Sequence, residues 1–120
     1  MILAIIGSRN FTDYEFFRST LNNLIEEKGW DVTEIVSGGA IGADTLGWQY
    51  AIVNKIKMIE FKPEWDKFGK AAGMIRNTSI IDYCDVVVAF QKNKSKGTQD
   101  SINKAIKAGK ETIVVNCDYH

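Results

Sequence analysis

The chain has 120 residues, 45% of them hydrophobic, and its 15 basic side chains balance 15 acidic ones to a formal net charge of zero. That length holds one compact domain with its own core and leaves no room for a second of ordinary size. The charge balance argues against a broad basic face for nucleic acid or an anionic membrane, and no apolar run approaches the roughly 18 residues of a membrane-spanning helix.

Met1 leads straight into an apolar run with no basic stretch before it, so no targeting segment and a cytoplasmic location are expected. Ile2-Leu3-Ala4-Ile5-Ile6, ended by Gly7, reads as a strand buried on both faces. Phe17, Leu21, Leu24 and Ile25 then recur at helical spacing, and Thr12 with Glu15 forms a capping-box pattern, which predicts a helix over about residues 13–28. Ile35-Val36 is a second short strand. A glycine-rich turn from Ser37 to Gly42 leads into a helix with Leu46, Tyr50 and Val53 on one face.

Residues 57–61 alternate polar with apolar, which suits an edge strand, and Pro63 ends it. Ala71, Met74, Ile75, Thr78 and Ile81 give a helical stripe between residues 67 and 83, followed by the apolar strand 86–90. A polar loop from Gln91 to Gly97 opens a last helix with Ile102, Ala105 and Ile106 on one face. Gly109 stops that helix, and residues 112–115 form a final strand. Cys84 and Cys117 are too few and too far apart for a disulfide framework or a zinc site, so buried free thiols are expected. Neither a metal nor a cofactor is expected. His120, the only histidine, is terminal and expected to be disordered, which leaves histidine acid/base chemistry without a residue.

Five strands alternating with four helices imply an α/β, Rossmann-like three-layer sandwich, with a five-stranded parallel sheet in the order 3-2-1-4-5 over the single domain 1–120. The topological switch then lies between strands one and four, where ligands of open α/β sheets bind beyond the carboxyl ends of the strands. Three strand-to-helix turns share that rim: Gly7-Ser8-Arg9-Asn10-Phe11, Ser37-Gly38-Gly39-Ala40-Ile41-Gly42 and Lys94-Ser95-Lys96-Gly97-Thr98. Glycine lets the backbone approach a ligand, and the amides of a following helix face an anion with the helix dipole behind them. Ser8, Ser37 and Thr98 can add hydroxyl donors, and Arg9 a bidentate fork for phosphate or carboxylate.

Each part also has a structural reading. One glycine-rich turn is often only a tight connection. Asp13 and Asp44 stand where a carboxylate stabilises a helix dipole. Lys92, Lys94 and Lys96 read equally as a solvated loop, and Trp48 and Trp65 as core or surface residues. The G-x-x-x-x-G-K-[ST] phosphate loop is absent, and the dinucleotide pattern fails because Ser37 stands where its first glycine belongs. Glu60, at the end of the third strand, is a weak candidate for a ribose hydroxyl.

At these residues the chain resembles a known family. Gly7-Ser8-Arg9 with Phe11 and Asp13, Ser37-Gly38-Gly39-Ala40 with Gly42-Ala43-Asp44, Trp65, Gly69-Lys70-Ala71-Ala72-Gly73, Arg76-Asn77, Ala89-Phe90 and Gly97-Thr98 look like the small YspA-like members of the SLOG superfamily. The resemblance implies a Rossmann-like fold and a nucleotide-derived ligand on the rim, touching those motif residues, Trp65 and Lys70 included. The superfamily also includes the Lonely Guy phosphoribohydrolases, DNA-processing protein A and sensors of ADP-ribose-type signals. Arg76 falls where the phosphoribohydrolases carry a functional arginine. Of their P-G-G-x-G-T-x-x-E signature only Gly97 and Thr98 survive, and Asp100 stands one residue before the catalytic acid, pointing about 100° away on a helix.

The leading expectation is therefore a protein that senses or sequesters a phosphorylated nucleotide or ADP-ribose-like molecule. Two alternatives stand beside it. One is an N-glycosidic hydrolase of nucleoside monophosphates, with Arg76 stabilising charge and Asp100, Asp44 or Asp13 as the acid/base group. The other is single-stranded nucleic-acid binding, which the superfamily suggests and the neutral charge opposes. Pairing into a dimer through Trp48, Tyr50 or Phe68 is expected, and no membrane partner.

Overall fold

The computed structural model describes residues 1–38 and 42–119. Five strands, β1 (Ile2–Gly7), β2 (Glu34–Ser37), β3 (Lys57–Glu60), β4 (Val86–Gln91) and β5 (Glu111–Asn116), form one sheet in the order β3-β2-β1-β4-β5. All pairings are parallel, with Leu3 opposite Ile35 and Val86, and Gly7 opposite Phe90. The expected order and the edge position of residues 57–60 are both observed. The apolar runs of β1, β2 and β4 became the central strands because those are covered on both faces, whereas the run 112–115 became the second edge, β5, with Val114 exposed. The alternating run, with only partial cover, became the other edge.

Along β1 the side chains alternate between two cores. Leu3 and Ile5 face a cluster with Phe17 and Leu21 from α1 (Tyr14–Lys28) and Leu46 and Tyr50 from α2 (Ala43–Val53). Ala4 and Ile6 face the other, with Ile80 and Ile81 from α4 (Ala72–Tyr83) and Ile102 and Ala105 from α5 (Lys96–Lys107). Both cysteines are free and buried; burial pushes the Cys84 thiol up to about 11, and burial together with nearby Asp118 pushes Cys117 up to about 12. Among the described residues, no helix is long and apolar enough to cross a membrane, and no group of three or more His, Cys, Asp or Glu is arranged to hold a metal ion.

The structure departs from the sequence expectation in four places. The helix expected over 67–83 is broken into α3 (Trp65–Phe68), a 3-10 turn (Gly69–Ala71) and α4, because Gly69 takes a left-handed φ of 57° that a continuous helix cannot contain. The expected apolar stripes extend beyond the core: Met74 is 63% exposed, Val53 63% and Ile106 61%, while on α4 the expected Ile81 is buried together with Ala72 and Ile80. Helix α1 is capped by Asp13 rather than Thr12, since the Asp13 carboxylate accepts the Phe16 amide at 3.1 Å. Of the aromatic residues expected on an exposed pairing face, Trp48 and Phe68 are exposed, whereas Tyr50 is buried and donates its hydroxyl to Asn22 Oδ1.

Candidate functional site

The carboxyl ends of β1 and β4 and the start of α2 meet closely. A methyl group added at Gly7 would stand 2.5 Å from both Ala43 Cβ and the Phe90 carbonyl oxygen. One added at Gly42, whose φ is 83°, would overlap the Ser8 carbonyl and stand 2.6 Å from that of Arg9. No L side chain is accommodated at either position, so the first turn lies directly on the amino end of α2, and the Ala43 amide bonds the Ser8 carbonyl.

Ser8 ties in the third turn. Its Oγ accepts the Lys92 amide at 2.8 Å and lies 2.7 Å from Ser95 Oγ. The Asn93 amide donates to Asp118 Oδ1 at 2.7 Å, and Asn93 and Lys94 both hold left-handed φ values, 57° and 49°. Asparagine tolerates that conformation, whereas for lysine it stores roughly 1–2 kcal/mol of strain.

Between these turns lies an open cleft of about 390 Å³. The β1 turn lines it with Gly7, Ser8, Arg9 and Asn10, the β2 turn with Gly38, and α2 with Asp44. Helix α4 contributes Arg76, Asn77 and Ile80, and the start of α5 contributes Ser95, Gly97, Thr98 and Ser101. The Arg76 guanidinium lies flat against Gly38, donating from Nη1 to its carbonyl at 2.8 Å and from Nε to Asn77 Oδ1 at 2.7 Å. A Cβ at Gly38 would stand 2.7 Å from Arg76 Cζ, so the absence of a side chain there is what lets the arginine reach across.

The three helix starts on this rim differ. Asp13 caps α1, whereas Gly42 and Ser95, at the starts of α2 and α5, make no side-chain cap bond. Open first-turn amides concentrate the positive end of a helix dipole, which suits an anion. On α2 the nearly buried Asp44 already supplies negative charge in the first turn. The α5 start carries no acid in its first turn and shares the cleft with Arg9 and Arg76, so that side holds the better anion site.

Nine residues expected at a ligand site line this cleft: Gly7, Ser8, Arg9, Gly38, Asp44, Arg76, Asn77, Gly97 and Thr98. Phe11 does not; it is fully buried, stacked on Phe90 at 5.5 Å between ring centres. Asp13 is a helix cap, and Gly42 serves backbone packing. Ser37 is buried beneath the rim, its hydroxyl without a partner among the described residues. Trp65 and Lys70 are exposed on α3 and the 3-10 turn, away from the lining. Asp100 is exposed and outside it as well, while Ser101, one residue on, is buried within it. Gly39, Ala40 and His120 lie outside the described residues. Asn10 and Ser95, named in the sequence only as members of the rim turns, also line the cleft, as does Ser101, which lies outside those turns. For Ser101 a signal existed, since it falls three residues after Thr98 on one helical face.

A model of the YspA, cpYpsA-related SLOG family matches residues 1–68. The chain belongs to this family. Its fold is shared with solved structures of low identity. DNA processing protein A from Helicobacter pylori, described for its single-stranded DNA binding mode, superposes with a TM-score of 0.71 at 24% identity, over 100% of this SLOG chain and 67% of that one. TM1055, a structural genomics target, gives 0.65 at 18% over 92% and 71%. DNA processing protein A from Streptococcus pneumoniae gives 0.56 at 19% over 92% and 57%. Comparison with curated proteins returns no match.

Proposed function

We propose that this SLOG protein binds a phosphorylated nucleotide or ADP-ribose-like molecule, as a sensor or sequestering module, with its phosphate in the rim cleft. The observation that carries this reading is the convergence of Arg9, Arg76 and the open amino end of α5 on one cleft at the switch point between β1 and β4. The phosphate sits against the amides of Gly97 and Thr98, with the Thr98 hydroxyl and the two guanidinium groups as further donors. Asp44, on the opposite wall, is suited to accept from a hydroxyl or amino group of the same ligand.

Hydrolysis is the weaker reading, because Asp100 is outside the cleft and Ser101 occupies the adjacent buried position, so the signature acid has no counterpart on this face of α5. The fold shared with DNA processing protein A, whose Helicobacter pylori structure is described for its single-stranded DNA binding mode, supports an oligonucleotide as a second candidate ligand. Isothermal titration against nucleoside mono- and diphosphates, ADP-ribose and a short single-stranded oligonucleotide tests both. Arg76→Ala is expected to weaken nucleotide binding about ten- to a hundredfold, the equivalent of losing a charge-assisted contact of about 1.5–3 kcal/mol. No nucleotide binding at millimolar concentration refutes the proposal. Oligonucleotide binding that is far tighter and strongly salt-dependent replaces it with the second reading.

A further inference from the structure

Beyond Arg76 the rim opens into a second cleft, of about 400 Å³, beside the edge strand β3. Phe61, Phe68, Ala72 and Ile75 give it apolar walls, and Glu60 and Glu64 line it together with Lys62. Arg76 lines both clefts. Phe68 and Ile75 are each 38% exposed and belong to neither core, so the fold gives no reason for apolar side chains there. Phe61 is held at the margin of the α4 side core, its ring 5.5 Å from that of Tyr83.

The two clefts differ in their apolar surface and in their acidic residues. The first offers guanidinium groups and open helix amides to an anion. The second offers flat apolar walls, which take an uncharged ring, and carboxylates, which accept hydrogen bonds from hydroxyl or amino groups. Glu60 is placed by its ion pair with Lys62 at 3.6 Å. From the end of β4 to the end of β3 the rim crosses three strand spacings, about 14 Å, with Arg76 between the clefts. A small ligand with one anionic end and one nucleoside end matches this arrangement, its phosphate in the first cleft and its ring against the apolar walls of the second.

We infer that the second cleft binds the base-and-sugar end of a small nucleotide whose phosphate lies in the first cleft. The base lies against Phe68 and Phe61, and Glu60 and Glu64 accept from sugar hydroxyl or base amino groups. This inference rests on the phosphate-binding reading of the first cleft, and pyrophosphate, which has no nucleoside end, separates the two. Titrations with pyrophosphate, ADP and ADP-ribose are run on the native protein and on Phe68→Ala, Glu64→Gln and Arg76→Ala. Phe68 and Glu64 are surface residues, and unchanged thermal melts identify these variants as folded.

Phe68→Ala is expected to lower ADP and ADP-ribose affinity about tenfold, the loss of one stacking contact, and to leave pyrophosphate unaffected. Glu64→Gln lowers only the nucleoside-containing ligands, by a smaller factor, and Arg76→Ala weakens all three. If the native protein binds ADP no better than pyrophosphate, or if neither Phe68→Ala nor Glu64→Gln alters ADP affinity, the second cleft is not a nucleoside site and only the phosphate reading survives. If neither pyrophosphate nor any nucleotide binds, both fall.

Discussion

At Gly42 the backbone leaves no space on the side where an L residue would place its Cβ, and the neighbours there are carbonyl groups of Ser8 and Arg9 rather than a side chain that could rotate away. Gly42→Ala therefore combines a left-handed φ with a backbone overlap, and is expected to cost about 2 kcal/mol or more. Chemical denaturation measures this as a lower midpoint with an unchanged slope. Gly38 differs, because its neighbour is the movable end of Arg76; a side chain there displaces the guanidinium and leaves the fold intact. The sequence marked both glycines as parts of a turn. Gly42 faces the backbone of the β1 turn and Gly38 a side chain from α4, both more than thirty residues away in the chain, so no local pattern tells them apart. The same holds for Ser8, whose partners Lys92 and Ser95 are brought to it by the β1–β4 pairing.

Among the elements, α1 gives the sharpest division between structural and ligand-binding roles. Asp13 was a candidate for both, and its carboxylate accepts the Phe16 amide. Asp13→Ala is expected to lower stability by about 1 kcal/mol, or roughly 3–6 °C in melting temperature, with ligand affinity unchanged. Calorimetry and titration on one sample check this, and affinity lost without a change in melting would return Asp13 to the site. The strands were legible because burial on both faces leaves an unbroken apolar run and partial burial leaves alternation. Helix periodicity was less informative: it located the helical faces but not how far along each helix the sheet lies beneath. Met74 and Ile106 extend past their cores, and Ile75 faces the second cleft instead. The break at Gly69 was hidden because the apolar spacing continues through it.

For the molecule as a whole, the two buried thiols link stability to alkaline pH. In the unfolded chain each loses its proton near 9, whereas in the native state Cys84 holds it to about 11 and Cys117 to about 12. Between those limits the unfolded state binds fewer protons than the native one, so stability is intact below pH 9 and declines as pH rises above it. Urea midpoints measured from pH 8 to 10.5 are expected to fall, and to fall less steeply in Cys84→Ala, where the slope rather than the absolute stability is the readout. The thiols were expected to be buried and free because two widely spaced cysteines make neither a disulfide framework nor a zinc site. The cleft that now defines the molecule's rim was foreseen only in outline, since its floor is made by contacts across the sheet.

The glycine contacts also divide the rim mechanically. The β1 turn and the start of α2 are joined backbone to backbone, so one jaw of the cleft is set when the sheet forms. The opposite jaw, residues 92–95, is held by the Ser8 hydroxyl and by Asp118, with Asn93 and Lys94 in left-handed conformations of which only the lysine's is strained. For the proposed nucleotide, adjustment of cleft width is expected on that second jaw, and the ordering cost then falls on a few residues next to the α5 start, where strain at Lys94 can tune affinity without disturbing the core.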